Sequence, residues 1–600
     1  MRATGRRAGA RRTRSNVTLA RVKHDRALAF ILLAVTATTT RGALSQPRTS
    51  PLTPEKSELP ASADGTASAA DHDRLLGEIA ALRARVAARG RPDTGEVGRE
   101  ALRAQITAAE DLVRDGKRDE GISRLVGLIE SRAFESFLGS DEARAALYAL
   151  GDAHADLGLF APARAYLRRT ILDRGAFDPG SSFGRRAARR LVDVALETRQ
   201  FQRGVEDLAG APVTDDLRIE AAFLAARAKE TGGDVDGALA TYMTVPQTSR
   251  FWSQATYLAG LLEVERGKRR DGERLFCKVA DPRRQDRTTP VLADARFFAV
   301  RDLARLALGR VAHDEARFDD ARYYYHLVPQ DSDRLAEALY EAATSRYEKK
   351  DHEGARRLLD ELAALKEHHR YEDEAMILGA YVDLARCRFP AADARLKAFV
   401  ARYEPIREAA RRLVESEQGV GLVRRAARAP GDPGALATPV AGVSPEATRS
   451  IAALVRADAA YAALVRRRAV LDQQTDGLRA ALPEVRAAAE GPTAERLLAE
   501  SAAGVRALEI AEATLARDAL HRLDLRLSRL LSRARLGRIE SVLGRKRALE
   551  VEIEAIANGF LPHDAVDSLD AARHLKDSEE YWPFEGDDWP DEYIGSEKPR

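Results

Sequence analysis

RDLARLALGRVAHDEARFDDARYYYHLVPQ, residues 301–330, reads as two short helices folded back on each other. Leu308 and Gly309 fall together inside the first helix. Phe318 stands at the turn, Ala321 opens the second helix, Tyr325 and Val328 return toward the first, and Pro329 ends the unit. Small side chains at Gly309 and Ala321 let two helix backbones approach, and the Tyr325 ring fills the space beside them.

The pattern recurs along the chain. Positions equivalent to Gly309 are Ala109, Gly151, Val192, Ala226, Gly260, Ala343 and Ala380. Twelve residues after each comes a second small residue: Gly121, Ala163, Gly204, Ala238, Gly272, Ala321, Ala355 and Ala392. Four residues further on stands a bulky one: Leu125, Leu167, Leu208, Tyr242, Phe276, Tyr325, Leu359 and Leu396. Phe160, Phe201 and Phe389 repeat the turn position of Phe318. The steps 192 to 226, 226 to 260 and 309 to 343 are each 34 residues, and the other steps are longer, which predicts longer turns or an inserted helix. The unit and its period resemble the tetratricopeptide repeat (TPR), a helix-turn-helix module of about 34 residues. The match is strongest at 144–177 and 302–335. It is weakest at 102–135, which lacks the turn aromatic, and at 185–218, where Val192 replaces the small residue. The resemblance covers about 102–415. It implies an all-α fold, a TPR-like α-solenoid predicted over 100–425, whose stacked first helices line an inner face that holds a peptide or partner helix.

Composition agrees with a helical chain of several domains. Six hundred residues exceed one core, 45% are hydrophobic and only 6% aromatic, and strand-type runs of Val, Ile and Thr are nearly absent. Two cysteines, Cys277 and Cys387, fall in different repeats and are read as single thiols.

Residues 1–45 read as a signal peptide. Nine of the first 26 residues are Arg or Lys, ALAFILLAVTA (27–37) is a short apolar core, and small-residue exits follow. This segment holds ten basic residues and one acid. Removing it from totals of 96 and 93 leaves 86 basic against 92 acidic residues, a net −6, so the positive formal charge of +3 belongs to the leader. A chain of that balance gives no support to nucleic-acid binding. Residues 46–71, rich in Pro, Ser, Thr and Ala, read as a disordered linker. Across 72–92, Leu75, Ile79, Leu82 and Val86 mark one amphipathic helix, either a cap on the repeats or an oligomerisation helix.

Within the repeats, Arg227, Lys229, Arg305, Arg310, Arg346 and Asp383 are candidates for the inner face; Arg227, Arg305 and Arg346 are the groove residues selected for binding a partner. A guanidinium grips a carboxylate with two parallel hydrogen bonds, which suits an acidic peptide. His368 and His369, near Glu372 and Glu374, lack a metal-ligand spacing and read as a polar loop.

A breaker-rich linker, 426–443, ends the repeats, and 444–560 reads as a long, coiled-coil-like helical hairpin broken at Glu490-Gly491-Pro492. Leu520, Leu523, Leu527 and Leu530 form a stripe that Leu536, Ile539, Leu543, Leu549, Ile553 and Ile556 prolong; Arg522, Arg526, Arg529 and Arg533 beside it read as a solvated face. The tail, 561–600, sets Tyr581, Trp582, Phe584, Trp589 and Tyr593 among nine acids between Asp577 and Glu597. Aromatic anchors between acids suit docking, either onto a basic partner or back onto the chain's own groove. This ending and the order leader, linker, helix, repeats are similar to periplasmic envelope TPR proteins of myxobacterial type.

No Walker loop, nucleophile elbow, HExxH or Gly-rich dinucleotide turn occurs. The sequence therefore predicts a non-enzymatic scaffold without cofactor, metal or small-molecule substrate. Its expected place is the periplasm or the exterior, with protein partners of the cell envelope and self-association through 72–90 or 444–560 as a further expectation. A cytoplasmic TPR adaptor is the competing reading.

Overall fold

The computed structural model describes residues 69–89, 98–172, 182–209, 215–280, 295–365, 371–436, 440–487 and 490–558. The leader, most of the first linker, the histidine pair 368–369 and the tail with its five aromatic residues lie outside them. The described residues form α-helices and short 3-10 turns, with no strand.

α1 (Ala69–Arg89) precedes eight helix pairs. The pairs are α2 (Arg99–Arg114) with α3 (Arg118–Ile129), α4 (Asp141–Asp156) with α5 (Phe160–Leu172), α6 (Ser182–Thr198) with α7 (Phe201–Leu208), and α8 (Asp215–Thr231) with α9 (Val235–Tyr242). They continue as α10 (Trp252–Glu265) with α11 (Arg269–Ala280), α12 (Ala295–Asp314) with α13 (Phe318–His326), α14 (Leu335–Glu348) with α15 (His352–Ala363), and α16 (Glu372–Ala385) with α17 (Phe389–Val414). Each first helix packs on its own partner, and the first helices also pack on one another in turn from α2 to α8 and from α10 to α16, with α9 against α10 between the two runs, which makes a solenoid.

The small and bulky positions do in space what their spacing predicts. Ala109, Val192, Ala226, Ala343 and Ala380 are fully buried, as are Ala163, Ala238, Ala321, Ala355 and Ala392. A methyl group at Gly260 would lie 2.5 Å from the Phe276 ring, and one at Gly151 would lie 2.7 Å from Leu167 Cγ, so the bulky residue of each pair occupies the volume that the small residue leaves. The four turn aromatics, Phe160, Phe201, Phe318 and Phe389, each begin a second helix.

The turn between the two helices has its own rule. Seven residues after each first small position stands a residue with φ between 56° and 85°: Gly116, Gly158, Arg199, Gly233, Gly267, Ala316, Lys350 and Cys387. The next residue's N–H then donates back to a carbonyl five residues earlier, at 2.8–3.1 Å in all eight pairs. This left-handed C-cap satisfies the last carbonyls of the first helix and reverses the chain. Four of the eight positions carry a Cβ, which strains that conformation by about 1 kcal/mol each.

After the repeats come α18 (Glu417–Arg428), α19 (Pro445–Ala457), α20 (Ala459–Ala487) and α21 (Gly491–Ala557). Ser416 and Ser444 cap α18 and α19 through their hydroxyls, and Pro445 stands in the first turn of α19. The first arm of the predicted hairpin is divided at Asp458, whose carboxylate accepts from Ala460 N at 2.9 Å and starts a second helix. α21 is 67 residues long, roughly 100 Å at the usual rise.

The hairpin does not stand apart from the solenoid. Leu527, Leu530, Leu531 and Ala534 of α21 are buried against Ile377, Tyr381, Leu396, Phe399 and Tyr403 of the last pair, where α21 takes the place of a next first helix. The other end of α21 pairs with α20 and α1: Arg496 meets Glu78 at 2.8 Å, and Leu75 and Leu471 lie against Gly504. α1 in turn packs on α3 and α5, with Gly77 against Pro162. α21 thus ties the last repeat to the first two. The apolar face of α1 (Leu75, Leu76, Ile79, Leu82 and Val86) is consumed inside the chain, which corrects the expectation that 72–90 offers a seam to a second copy. Arg522 and Arg526 are not a plain solvated face either. They pair with Asp458 and Asp373, because α21 runs beside those helices.

One buried carboxylate sets the junction. Glu512 of α21 is 1% exposed and accepts from Arg428 Nε at 2.6 Å, Arg424 at 3.2 Å and the Tyr461 hydroxyl at 2.8 Å, with Arg468 at 3.6 Å. The surface pairs along α21 contribute at most about 1 kcal/mol each, whereas each leucine buried on α17 contributes about 2 kcal/mol. Apolar burial therefore holds α21 down, and Glu512 fixes its register.

Two outcomes are expected. Lys350→Gly relieves the left-handed strain and raises stability by about 1 kcal/mol, read as a higher melting temperature, while Gly260→Val, which overlaps Phe276, lowers stability by about 1–3 kcal/mol. Glu512→Ala leaves three guanidinium groups facing one another, costs about 3 kcal/mol, and accelerates amide hydrogen exchange in α18, α20 and α21 while leaving α8 to α13 unchanged.

Candidate groove

The first helices present their outer face to a groove. Counted from the small residue of each first helix, the lining residues fall at −6, −3, −2, +1 and about +4. Two adjoining pockets open there. The first, about 650 Å³, lies among α2, α4 and α6. The second, about 610 Å³, lies among α6, α8, α10 and α12. At the far end the same face is covered by the chain itself: Tyr381, at +1 of α16, meets α21 beside Gly537.

The first pocket combines acids with stacked rings. Arg186 lies 4.3 Å above the Tyr148 ring and 5.6 Å from the Phe183 ring. Burial pushes the Glu110 and Asp152 carboxyls up, against the pull of Arg186 and, for Asp152, of Arg190. Arg190 spans Asp152 at 2.7 Å and Asp156. The second pocket is more apolar. Phe223 stacks on Phe251 at 4.5 Å between ring centres, and Leu196, Tyr257, Leu258 and Leu303 complete the wall. The Gln254 side-chain oxygen is buried there with no hydrogen-bond partner among the described residues.

The structure separates the three selected arginines. Arg227, at +1, lines the second pocket, but it donates to Glu230 at 2.6 Å and stacks 4.9 Å from the Phe201 ring. Arg305, at −4, is buried and pairs with Asp302 at 3.1 Å. Arg346, at +3, is buried and pairs with Asp319 at 3.0 Å and Asp351 at 3.5 Å. Both lie off the lining register, because −4 and +3 turn toward neighbouring helices; for Arg305 and Arg346 the groove-binding expectation is corrected. Lys229 and Asp383 share the +3 position: Lys229 donates to Thr241 at 2.9 Å, and Asp383 accepts from Arg356 and Arg395. Arg310 bridges to Glu337 at 2.6 Å and Glu341 at 2.5 Å on the next first helix, which holds its guanidinium well above the usual range despite burial. Sequence reasoning missed the aromatic and apolar lining at −3 and −2, although the register that places it was already visible from the small residues. Among the described residues, no group of three or more His, Cys, Asp and Glu is arranged to hold a metal ion.

A comparison with protein-family models finds no match, and a comparison with curated proteins finds none. Among solved structures, the chain is similar to a tetratricopeptide repeat protein from Parabacteroides merdae, at 15% identity over 43% of this chain and 92% of that one, with a TM-score of 0.27. It is also similar to a circular tandem repeat protein with novel repeat topology, at 14% identity over 81% of this chain and 98% of that one, with a TM-score of 0.08. The assignment of an all-α solenoid of TPR-like pairs rests on the chain's own eightfold register.

Two histidines tie stability to pH. His154, stacked on Tyr166, donates Nδ1–H to the Leu150 carbonyl at 2.7 Å, and burial lowers its pKa from 6.5 to about 4. Burial likewise lowers His72 to about 4. Both are neutral in the fold but take up protons in the unfolded chain below about 6.5, so their contribution to stability declines as pH falls from 6.5 toward 4. Buried acids such as Asp152 act in the opposite sense, so the difference between variants isolates the histidine effect. His154→Phe is expected to show a shallower fall in melting temperature between pH 6.5 and 4 than the parent chain.

Proposed function

We propose that this chain is an exported, non-enzymatic scaffold that holds a protein partner of a bacterial cell envelope, in motility or outer-membrane and peptidoglycan machinery. Export and setting rest on the basic-apolar-small order of residues 1–45 and on the chain's layout. The observation that carries the binding reading is the second pocket, with an apolar and aromatic wall and the buried, unpartnered Gln254 oxygen. A partner segment that seats an apolar side chain there and gives Gln254 an N–H removes that defect. The nearby Arg190 and Arg227 already meet in-chain carboxylates, so apolar anchoring rather than an arginine grip on an acidic peptide dominates affinity. The aromatic-acidic tail supplies a second docking element, directed outward or onto this groove.

The test is a pull-down from envelope extract with the full chain, a Gln254→Ala/Leu303→Asp variant and a chain ending at Leu575. Leu303 lines the pocket wall at the surface, so a charge there blocks an apolar anchor without opening the core. The groove variant is expected to lose, by about thirtyfold or more in affinity, the partner that the full chain captures. Capture unchanged by that variant and lost on truncation assigns binding to the tail and removes the groove from the account.

A further inference from the structure

α21 carries two apolar faces. The first, formed by Leu527, Leu530, Leu531 and Ala534, is buried on the last repeat as described. The second begins where the first runs out. Ile539, Val542, Leu549 and Ile553 are 57%, 65%, 47% and 65% exposed. At 3.6 residues per turn this second face lies a little under a quarter of a turn from the first and further along the axis, past the last repeat, so both can be covered at once. Gly544, against the Phe389 ring, marks the end of the solenoid's support. From Arg545 to Glu554 every residue is exposed. A helix end of that length with no neighbour among the described residues is marginal in water by itself, and one lined with apolar residues calls for a partner surface.

The spacing says which partner. Ile539, Val542, Lys546, Leu549 and Ile553 occupy successive a and d positions of a heptad, the repeat by which helices supercoil around each other. β-branched Ile539 and Ile553 stand at a, a choice that favours two strands in parallel, and the single Lys546 at a specifies register. Arg545 then falls at g and Glu550 at e. In a parallel pair of identical helices, g of one copy faces e of the next heptad of the other, so Arg545 of each copy meets Glu550 of the other, twice by symmetry. The in-chain Lys546–Glu550 contact, 3.5 Å and well exposed, is weak enough to yield.

We propose that residues 539–557 of α21 form a parallel two-stranded coiled-coil seam that joins two copies of this chain. The pairing carries two grooves on one stem, so a partner with two copies of its segment binds with gained avidity. The proposal does not depend on what the grooves hold.

Sedimentation equilibrium on the full chain tests it. The chain is expected to be predominantly dimeric at about 100 µM and to dissociate on dilution. Ile553→Asp or Leu549→Asp should weaken dimerisation by about tenfold or more with the melting curve of the solenoid unchanged, because both residues lie beyond the solenoid's support. Arg545→Glu and Glu550→Arg should each weaken it, and the two together should restore it. A chain that stays monomeric, a dimer indifferent to Ile553→Asp, or a trimer overturns the proposal. Failure of the double variant to recover overturns the parallel alignment, since an antiparallel pair would set Arg545 against Glu552 instead.

Discussion

Two helices can approach closely only where the side chains at their crossing are small, and this constraint governs the solenoid. Gly309 and Ala321 leave that gap, and Tyr325 closes it from the side. The same three-residue device appears eight times, sometimes with Ala against Leu, sometimes with Gly against Phe. In each pair the bulky residue fills the space beside the crossing that the small residues leave, as close packing requires. The left-handed residue at +7 serves the same crossing, because without that reversal the second helix cannot return along the first. Where the position is Gly the turn is unstrained. At Arg199, Ala316, Lys350 and Cys387 the packed pair holds a conformation the residue alone disfavours.

A stack of such pairs leaves apolar surface at its last pair and along its second helices, and this chain covers both with its own helices. α21 lies on the last pair as the next first helix would, and α1 covers the second helices of the first two pairs. Because α21 belongs to both arrangements, the ends of the solenoid are mechanically joined. Glu512 stands where α18, α20 and α21 meet, and a carboxylate satisfied by three guanidinium groups and a phenol has one acceptable placement. Among the described residues the groove between α2 and α12 stays open, whereas its end at α16 is filled.

The legible part of the candidate site was its register. Once Gly151, Ala226 and Gly260 are aligned, the residues one ahead and two or three behind them face the groove, and Asp152, Arg227 and Tyr257 follow. Arginines at −4 and +3 looked equally available in sequence, but the helix turns them toward neighbours, and Asp302, Asp319 and Asp351 are waiting there. The left-handed turn was also within reach: Gly116, Gly158, Gly233 and Gly267 share one offset. It escaped notice because the other four positions bear side chains that hide the pattern. The leucine stripe of α21 read as continuous, yet it is buried to Ala534 and exposed from Leu536, because the helix outruns the repeat beneath it.

The helix pairs and their crossing points are legible along the chain, since each depends on residues within about thirty positions and on volume alone. Which charged groups face the groove, that α21 spans from the last repeat to the first, and where its second apolar face emerges are settled by the folded arrangement. Those outcomes depend on pairings such as Arg496 with Glu78 and Arg83 with Gln474, made across hundreds of residues by the accumulated rotation of the stacked repeats. No local spacing records that rotation, because small differences at each interface add up before the ends meet.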